Sequence, residues 1–491
     1  MRWKSPVVAA LLGAGSLAHA GTYHVATSGS DTNPGTAAAP FRTIQKAADV
    51  VAAGDSVTIH AGTYTGFVVT KHGTQTAPIT FSGSGTVNID GASTTDRDAV
   101  HIEGASYITV EGLTVTGATR AGISALDSDH ITVRKNKVDS NAKWGVFSSF
   151  TDDFVVENNE LSRSGTQHGV YASNSADHPV IRGNYIWGNA MCGVHMNGDI
   201  NMGGDGVITG AIVENNIIKD NGRLGGSGIN GDGVTNALIR NNLLDGNHAS
   251  GISLYQIDGG APSTGNQVIN NTVRMASNAR WALNIQDGSA GNTLRNNILL
   301  NPTAGRGAID ICAACLTGLV SDHNAFVNTL MIDGATMNLA TWQTRTAGDA
   351  ASFAATDADL FTSATDLTLR AGSKAIDKGM ATGAPPTDLA GTSRPQGTGV
   401  DIGAYEHCDG ACVGGGSGSG SGDGSGSGDG SGSGDGSGSS TDGGGDGSDY
   451  SGEGGVSDRN GGCNVVGGGA GACGSALVLA AAAMLVRRRR R

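Results

Sequence analysis

Apolar and polar residues alternate along most of the chain in short stretches, which is typical of β-strands with one buried face. Between residues 122 and 308 these stretches recur in lines that open with Gly or Ala followed by an apolar residue, as in Gly169-Val170-Tyr171. Successive lines start 23, 24, 24, 35, 23, 31 and 26 residues apart. Because the lines are too short for crossover helices, the pattern predicts coils of three short parallel strands that stack directly on one another.

An asparagine recurs at one point of most lines, where a second strand ends, as at Asn159, Asn242 and Asn297. An Asn that returns at the same bend of every coil predicts a ladder in which the side-chain amides satisfy turn backbone groups. A leucine-rich horseshoe is the competing fold, and the absence of its leucine spacing excludes it.

This pattern resembles the right-handed parallel β-helix superfamily of pectate lyase-like proteins over residues 23–406. Segment 24–64 resembles the beginning of secreted members, and segments 373–380 and 400–407 resemble a family ending. The resemblance implies an all-β, right-handed parallel β-helix with three-strand coils and an N-terminal capping helix. That helix is expected over Thr43–Ala53, where it would cover the open strand edges of the first coil. The superfamily hosts several reactions, so the resemblance leaves the reaction open.

The beginning of the chain has the layout of a secretory signal peptide over residues 1–20. Arg2 and Lys4 precede the apolar run 7–12, and Ala18-His19-Ala20 forms a cleavage site. The β-helix domain is therefore expected over residues 21–407. Residues 408–462 are rich in Gly, Ser and Asp and predict a flexible linker.

The end of the chain, residues 463–491, carries Cys463, a weakly apolar stretch and the arginine run 487–491. It resembles myxobacterial C-terminal sorting signals. This resemblance implies that sorting machinery removes the tail near Cys463 and anchors the secreted protein at the bacterial outer surface. A permanent membrane anchor with its basic end inside the cell is the alternative.

Charge and cysteine content narrow the partners and the compartment. The formal net charge of −13 argues against nucleic acid as a partner. Seven cysteines fit an oxidising compartment, and the spacing allows short disulfides at 312–315 and 408–412, with Cys192 left as a buried thiol. The protein is expected to be a monomer.

Stacked coils place equivalent residues in columns along the outside of the rod. After the opening Gly or Ala the next residue is apolar and points inward, so the residue after it points outward. The first outward column comprises Tyr171, His195, Asn230, Ser253, Asn284 and Asp310, and the second comprises Ser173, Asn197, Asp232, Tyr255, Gln286 and Cys312. These residue types are individually poor strand formers but hydrogen-bond sugar hydroxyls. The two longest lines insert residues beside these columns, which indicates a walled binding surface.

These columns predict a face that binds a polysaccharide. The candidate substrate-binding residues are His168, Tyr171, Asn197, Asn230, Asn284 and Asp287, and the candidate catalytic residues are His195, Asp232, Tyr255 and Arg280. A lyase or epimerase acting on uronic-acid polymers needs a base, for which His195 or Tyr255, or alternatively an Arg or Lys, is available. It also needs a group that neutralises the uronate carboxylate: Arg280, or a calcium ion held by Asp199, Asp205 and Asp232.

A hydrolase of the polygalacturonase type is disfavoured because its motifs of closely spaced aspartates, Gly-His-Gly and Arg-x-Lys are missing as a set. A non-catalytic surface protein that binds or adheres to glycans remains the alternative to an enzyme.

Overall fold

The computed structural model describes residues 20–414, and they form an all-β right-handed parallel solenoid of about 12 turns. The predicted fold class is therefore confirmed. Almost all of the predicted signal peptide, most of the Gly/Ser/Asp linker and the sorting segment lie outside the described residues. Within residues 20–414, no helix is long and apolar enough to cross a membrane.

Three rows of parallel strands make up the coils. The first row comprises Val100–Glu103, Ala121–Leu126, Trp144–Ser149, Val170–Ser173, Val194–Asn197, Ser227–Asp232, Ser250–Tyr255, Leu283–Ile285, Ile309–Ile311 and Leu330–Ile332. The second row comprises Ser106–Glu111, Asp129–Arg134, Val155–Glu157, Val180–Arg182, Ile212–Glu214, Leu238–Arg240, Gln267–Ile269, Thr293–Arg295 and Val320–Asp322. The third row comprises Thr114–Thr116, Lys137–Asp139, Glu160–Ser162, Tyr185–Trp187, Ile217–Lys219, Leu243–Asn247, Thr272–Met275, Ile298–Leu300, Ala325–Phe326 and Phe353–Ala354.

The remaining elements lie at the two ends of the rod and in its insertions. The first turns use Thr22–Val25 and the long strands Ser56–Val69 and Ile79–Ser93, which pair with strands of more than one row. A small pair, Ile208–Thr209 with Val234–Thr235, lies in the insertions, and Ala335–Met337 pairs antiparallel with the last strand of the first row. The helices are Ile44–Val50, Leu339–Thr346 and Asp357–Leu360, with 3-10 turns at Ile200–Met202 and Ala314–Leu316.

The N-terminal helix Ile44–Val50 covers the beginning of the rod, a little shorter than predicted. Thr43 caps it by accepting the Lys46 amide, and Ile44, Ala47 and Ala48 are buried against the first coil. Gln45 accepts the backbone N–H of Val68 and donates to its carbonyl. Because an open strand edge exposes such groups, this side chain completes the edge as a further strand would.

Asparagine ladders run along two bends of the rod. The predicted ladder contains Asn136, Asn159, Asn184, Asn216, Asn242, Asn271, Asn297 and Asn324, and each Oδ1 after the first accepts the backbone N–H of the preceding member. The residue just before each member has a positive φ, 55° at Asn158, which Asn tolerates better than most residues. A second ladder, which the sequence analysis did not predict, links Asn189, Asn221 and Asn247 at the end of the third row.

The last described segment folds back along the outside of the rod. Asn270 donates to the carbonyls of Asp401 and Gly403, and Arg394 forms a buried ion pair with Glu406. The two short disulfides, Cys312–Cys315 and Cys408–Cys412, are present, and Cys192 is buried outside both of them. The backbone outside the coils is thus tied to the solenoid by specific polar contacts.

Candidate functional site

The outward side chains of the first row form one continuous surface, which we call the site wall. Its first column comprises His101, Ser124, Phe147, Tyr171, His195, Asn230, Ser253, Asn284 and Asp310, and its second comprises Leu126, Ser149, Ser173, Asn197, Asp232 and Tyr255. The predicted register is confirmed, since His195 pairs with Tyr171 on one side and with Asn230 on the other. Their inward neighbours Val194 and Ile229 have no exposed surface.

Most polar side chains of the site wall are outward but little exposed. His195 is 9% exposed, Tyr255 3% and Asn230 0%. Parallel strands lie about 4.8 Å apart, so side chains in one column cover each other. The inserted loops also meet beside the second column, where Ile200 donates to the Asp258 carbonyl and Gly260 to that of Gly206. The site wall is therefore a tightly packed polar surface rather than an open one.

His168 and His195 form a buried pair of imidazoles in neighbouring coils. His168 Nδ1 accepts the backbone N–H of Cys192 at 3.1 Å, and His168 Nε2 lies 3.0 Å from His195 Nδ1. Burial lowers the pKa of His195 to about 3, and burial together with the neighbouring His195 lowers the pKa of His168 well below its usual value. Both rings are therefore neutral at neutral pH. The remaining nitrogen, His195 Nε2, is buried and has no hydrogen-bond partner.

Two tyrosines of the site wall each receive a hydrogen bond from an asparagine. Asn230 Nδ2 donates to Tyr255 Oη at 2.6 Å, and Asn197 Nδ2 donates to Tyr171 Oη at 3.4 Å. Burial raises the pKa of Tyr171, and the nearby carboxylates of Asp199 and Asp258 raise it further. Burial thus keeps Tyr171 a phenol, and Tyr255 accepts the shorter of the two hydrogen bonds.

Asp232, a predicted catalytic residue and calcium ligand, anchors a loop. Its carboxylate accepts the backbone N–H groups of Ile257, Asp258 and Gly259 at 2.8 to 3.0 Å. Burial outweighs these bonds and raises the pKa of Asp232 to about 6. The structure therefore gives Asp232 a structural task in holding the inserted loop against the site wall.

The predicted calcium ligands are not brought together as a set. Asp199 caps the turn at Asn201 through its carboxylate, and the exposed Asp205 caps Val207. Within residues 20–414, the groups of three side chains whose ligand atoms lie within 4.8 Å of one another are His168 with Cys192 and His195, and Asp96 with Asp98 and His101. In the second group, Arg120 already neutralises Asp98 with two short bonds. Asp199, Asp205 and Asp232 accordingly do not fit a calcium site.

The other predicted residues lie along the later coils. Arg280 is half-buried at the margin of the site wall, just before the strand that carries Asn284. Asn284 is buried, its Oδ1 accepts from Gln286, and its Nδ2 has no partner. Asp287 follows that strand with a φ of 55°, and burial raises the pKa of its carboxyl.

Sequence reasoning missed two parts of the site wall. Trp144, Phe147 and Tyr171 form a row of stacked aromatic rings that ends on His195, with centroid separations of 4.3, 5.5 and 5.0 Å. Asp310 was placed in the column but was not considered a site residue. Its Oδ1 is buried without a partner, and burial raises its pKa to about 6. Extending the first column back to Phe147 identifies the aromatic row, whereas the sequence does not show that Asp310 Oδ1 is buried without a partner.

Fold and site together define a right-handed parallel β-helix protein with a polar outer wall. Residues 23–278, more than half of the chain, match the family described as "Pel9A-like, right handed beta helix region". The chain belongs to the Pel9A-like right-handed β-helix family.

Individual relatives are distant. The uncharacterized protein YwoF of Bacillus subtilis (strain 168) is 28% identical over 202 residues, which cover 36% of this chain and 43% of that protein. The chain thus matches less than half the length of this relative. The crystal structure of pectate lyase Pel9A is similar with a TM-score of 0.54 and 20% identity, over 79% of this chain and 96% of Pel9A. An alginate lyase from Paenibacillus sp. str. FPU-7 aligns with a TM-score of 0.45 and 21% identity, over 54% of this chain and 94% of that enzyme. At 20% identity, the likeness to Pel9A establishes the shared fold.

Proposed function

We propose that the protein is a polysaccharide lyase, or an epimerase of the same chemistry, that acts on a uronate-containing polymer bound along the site wall. We also propose that it is secreted and anchored at the bacterial outer surface by its C-terminal segment. The observation that carries the proposal is a set of buried polar atoms without partners on one column: His195 Nε2, Asn284 Nδ2 and Asp310 Oδ1.

Unpartnered atoms of this kind point to a ligand. Each buried polar group without a hydrogen bond costs about 1 to 3 kcal/mol, and a ligand or an ordered water that completes the bond removes this cost. Sugar hydroxyls donate and accept hydrogen bonds, whereas uronate carboxylates only accept them. Together they match the N–H and carboxyl groups present. Four coil steps of about 4.8 Å separate His195 from Asp310, roughly 19 Å in all. A ligand that reaches all three atoms is therefore an extended polymer.

Cationic and aromatic groups along the margin favour an acidic polymer. Lys143 lies over the Trp144 ring and Arg306 over the Trp281 ring, while Arg280 lies between them along the rod. These cations lie at equivalent places of their coils, two residues before the opening Gly or Ala. Such a row suits uronate carboxylates, and the aromatic rings suit the apolar faces of sugar rings.

The lyase reaction can be written with groups of the site wall. Tyr255, as phenolate, removes the proton α to the uronate carboxylate; the hydrogen bond from Asn230 stabilises this anion. For the negative charge that develops on the carboxylate, the proposal keeps the predicted cation Arg280, whose backbone lies beside Ala249 at the beginning of the strand that ends in Tyr255. The electron pair then forms the carbon–carbon double bond as the glycosidic C–O bond at the β-carbon breaks, and the leaving oxygen takes the proton from Tyr255. If a water molecule instead delivers a proton to the opposite face of the ring while the C–O bond stays intact, the product is the epimer, and Tyr255 passes the proton that it removed to solvent.

The test is turnover of pectate, alginate and glycosaminoglycans, each with and without a chelator, followed by the absorbance of the unsaturated uronate. We expect one polymer to be cleaved, Tyr255→Phe to abolish cleavage, and Tyr185→Phe, which removes an exposed phenol in the third row, to retain it. Asp199, Asp205 and Asp232 do not fit a calcium site. The calcium requirement therefore stays a prediction without an assigned set of ligands, and the chelator tests it. Binding of a polymer without cleavage or epimerisation would instead identify a glycan-binding surface protein.

A further inference from the structure

A directed chain of hydrogen bonds leads from the backbone to His195. It begins at the N–H of Cys192, a group that can only donate, so His168 Nδ1 must be the acceptor. A neutral imidazole carries one proton, and the proton of His168 is therefore on Nε2. That N–H points at His195 Nδ1, 3.0 Å away, which must in turn accept. The proton of His195 is then on Nε2, the buried nitrogen without a partner.

We propose that His168 is a positioning residue that holds His195 in the Nε2–H tautomer, so that His195 donates a hydrogen bond to an oxygen of the substrate and does not act as its base. The inference rests on the proposed function and deepens it. The group recognised is an acceptor oxygen, and the uronate carboxylate, where charge develops during proton removal, is the acceptor that such a donor stabilises most. Of His195 and Tyr255, this assignment leaves Tyr255 as the candidate base.

A metal ion is the competing explanation of the same cluster, since His168, Cys192 and His195 offer two nitrogens and a sulfur close together. Zinc prefers such ligands. A metal held by His168 Nε2 would require the proton on Nδ1, and that N–H would then face the N–H of Cys192 at 3.1 Å. Two donors in contact are unfavourable. The backbone bond thus favours the hydrogen-bonded chain over the metal.

Nitrogen NMR of the full-length protein with ¹⁵N-labelled histidine tests the tautomer without any substrate. Long-range proton–nitrogen correlations distinguish a protonated ring nitrogen from an unprotonated one. We expect His195, assigned by its loss in His195→Gln, to show a protonated Nε2 and an unprotonated Nδ1 at neutral pH. His72, which is exposed, provides the signal of a ring in water within the same spectrum. A protonated Nδ1 on His195, or a mixture of tautomers, overturns the proposal.

Two variants separate the hydrogen-bonded chain from the metal. His168→Phe keeps an aromatic ring but removes both nitrogens, and it should release His195 into a mixture of tautomers. Cys192→Ser keeps the backbone donor and removes the thiolate ligand, so the His195 spectrum should be unchanged. Zinc added to the wild-type protein should leave that spectrum unchanged as well. If zinc shifts the His168 and His195 signals in the wild type but not in Cys192→Ser, the cluster is a metal site and the proposal is wrong.

Activity gives a second readout once a cleaved polymer is known. Loss of one preorganised donor typically lowers kcat by about 100- to 1000-fold, and His195→Ala should fall in that range. His195→Gln keeps an N–H donor but no base, so it should lose far less. An equal loss of kcat in both variants would indicate that His195 is the base. The NMR result stands even if no polymer is cleaved, so failure of the lyase proposal and failure of the tautomer proposal are distinguishable.

Discussion

At the scale of single residues, the neutral imidazoles of His168 and His195 make folding depend on pH. The pKa of His195 is about 3 in the folded protein, whereas an unfolded histidine titrates near 6.5. As pH falls from about 6.5 towards 3, the unfolded chain gains a proton that the folded chain does not. The free energy of unfolding should therefore fall by about 1.4 kcal/mol per pH unit for this residue, and His168 acts in the same direction.

The measurement compares unfolding free energies of the wild type and of His195→Gln at several pH values between 7 and 4. The variant should lose stability less steeply, because glutamine does not titrate. Asp232 and Asp310, whose pKa values of about 6 lie above those of unfolded aspartate, gain protons in the folded state and oppose this trend equally in both proteins. Parallel curves would show that His195 is protonated in the folded protein as readily as in the unfolded one.

At the scale of elements, the main asparagine ladder sets the spacing of neighbouring coils. The Asn242 side chain accepts the backbone N–H of Asn216 and donates to the Val213 carbonyl and to Asn271 Oδ1. All three asparagines are fully buried. Asn242→Ala leaves several buried groups unpaired at about 1 to 3 kcal/mol each, so we expect at least about 3 kcal/mol of destabilisation. Asn201→Ala, on an exposed turn, should stay within about 0.5 kcal/mol of wild type in the same denaturant titration.

The inserted loop is a second element whose position depends on one side chain. Asp232 holds three successive amides of the loop, so Asp232→Ala should free residues 257–259 while the strands of the first row remain. Faster amide hydrogen exchange confined to Ile257, Asp258 and Gly259 is the expected result. Asp177→Ala, which removes a carboxylate that caps Thr209, is a control that should leave these three amides unchanged. Unchanged exchange at Ile257 in Asp232→Ala would refute the anchoring role.

The sequence is enough to predict the strand faces and the asparagine ladder, but not the contacts of the inserted loop, and the difference has a physical reason. The alternation in Val194-His195-Met196-Asn197 is enough to assign inward and outward faces, because side chains on a strand alternate by geometry. The ladder at Asn242 follows from repetition of one residue at one bend. The three amides on Asp232, and the separation of Asp199 from Asp205, depend on the path of an inserted loop, which periodicity does not describe. Which ring nitrogen of His195 carries the proton depends on the hydrogen bond from the Cys192 backbone to His168, and the spacing of residues in the sequence does not show it.

At the scale of the whole molecule, each coil contacts only its neighbours, so damage should remain local. Ile44 is buried in the helix that covers the first coil, whereas Val50 on the same helix is 37% exposed. Ile44→Asp should raise amide exchange at Val69 and Ile102 in the first coils but not at Ile252 in the middle of the rod, because the covering helix would detach. Val50→Asp should change neither region. Loss of protection along the entire rod in Ile44→Asp would mean that the solenoid unfolds as a single unit.

The repeated Asn-to-Asn bonding between coils has a consequence for how such proteins diversify. Every rung of the ladder is chemically the same, with an Oδ1 accepting the N–H one layer below. If a gene duplication inserts one complete layer, the asparagine of that layer therefore meets matching hydrogen-bond partners in the layers above and below. Each added layer extends the rod by about 4.8 Å and presents one new pair of outward residues. For the polysaccharide that we propose as the ligand, the length of the binding surface thus depends on the number of layers, and the existing layers need not change.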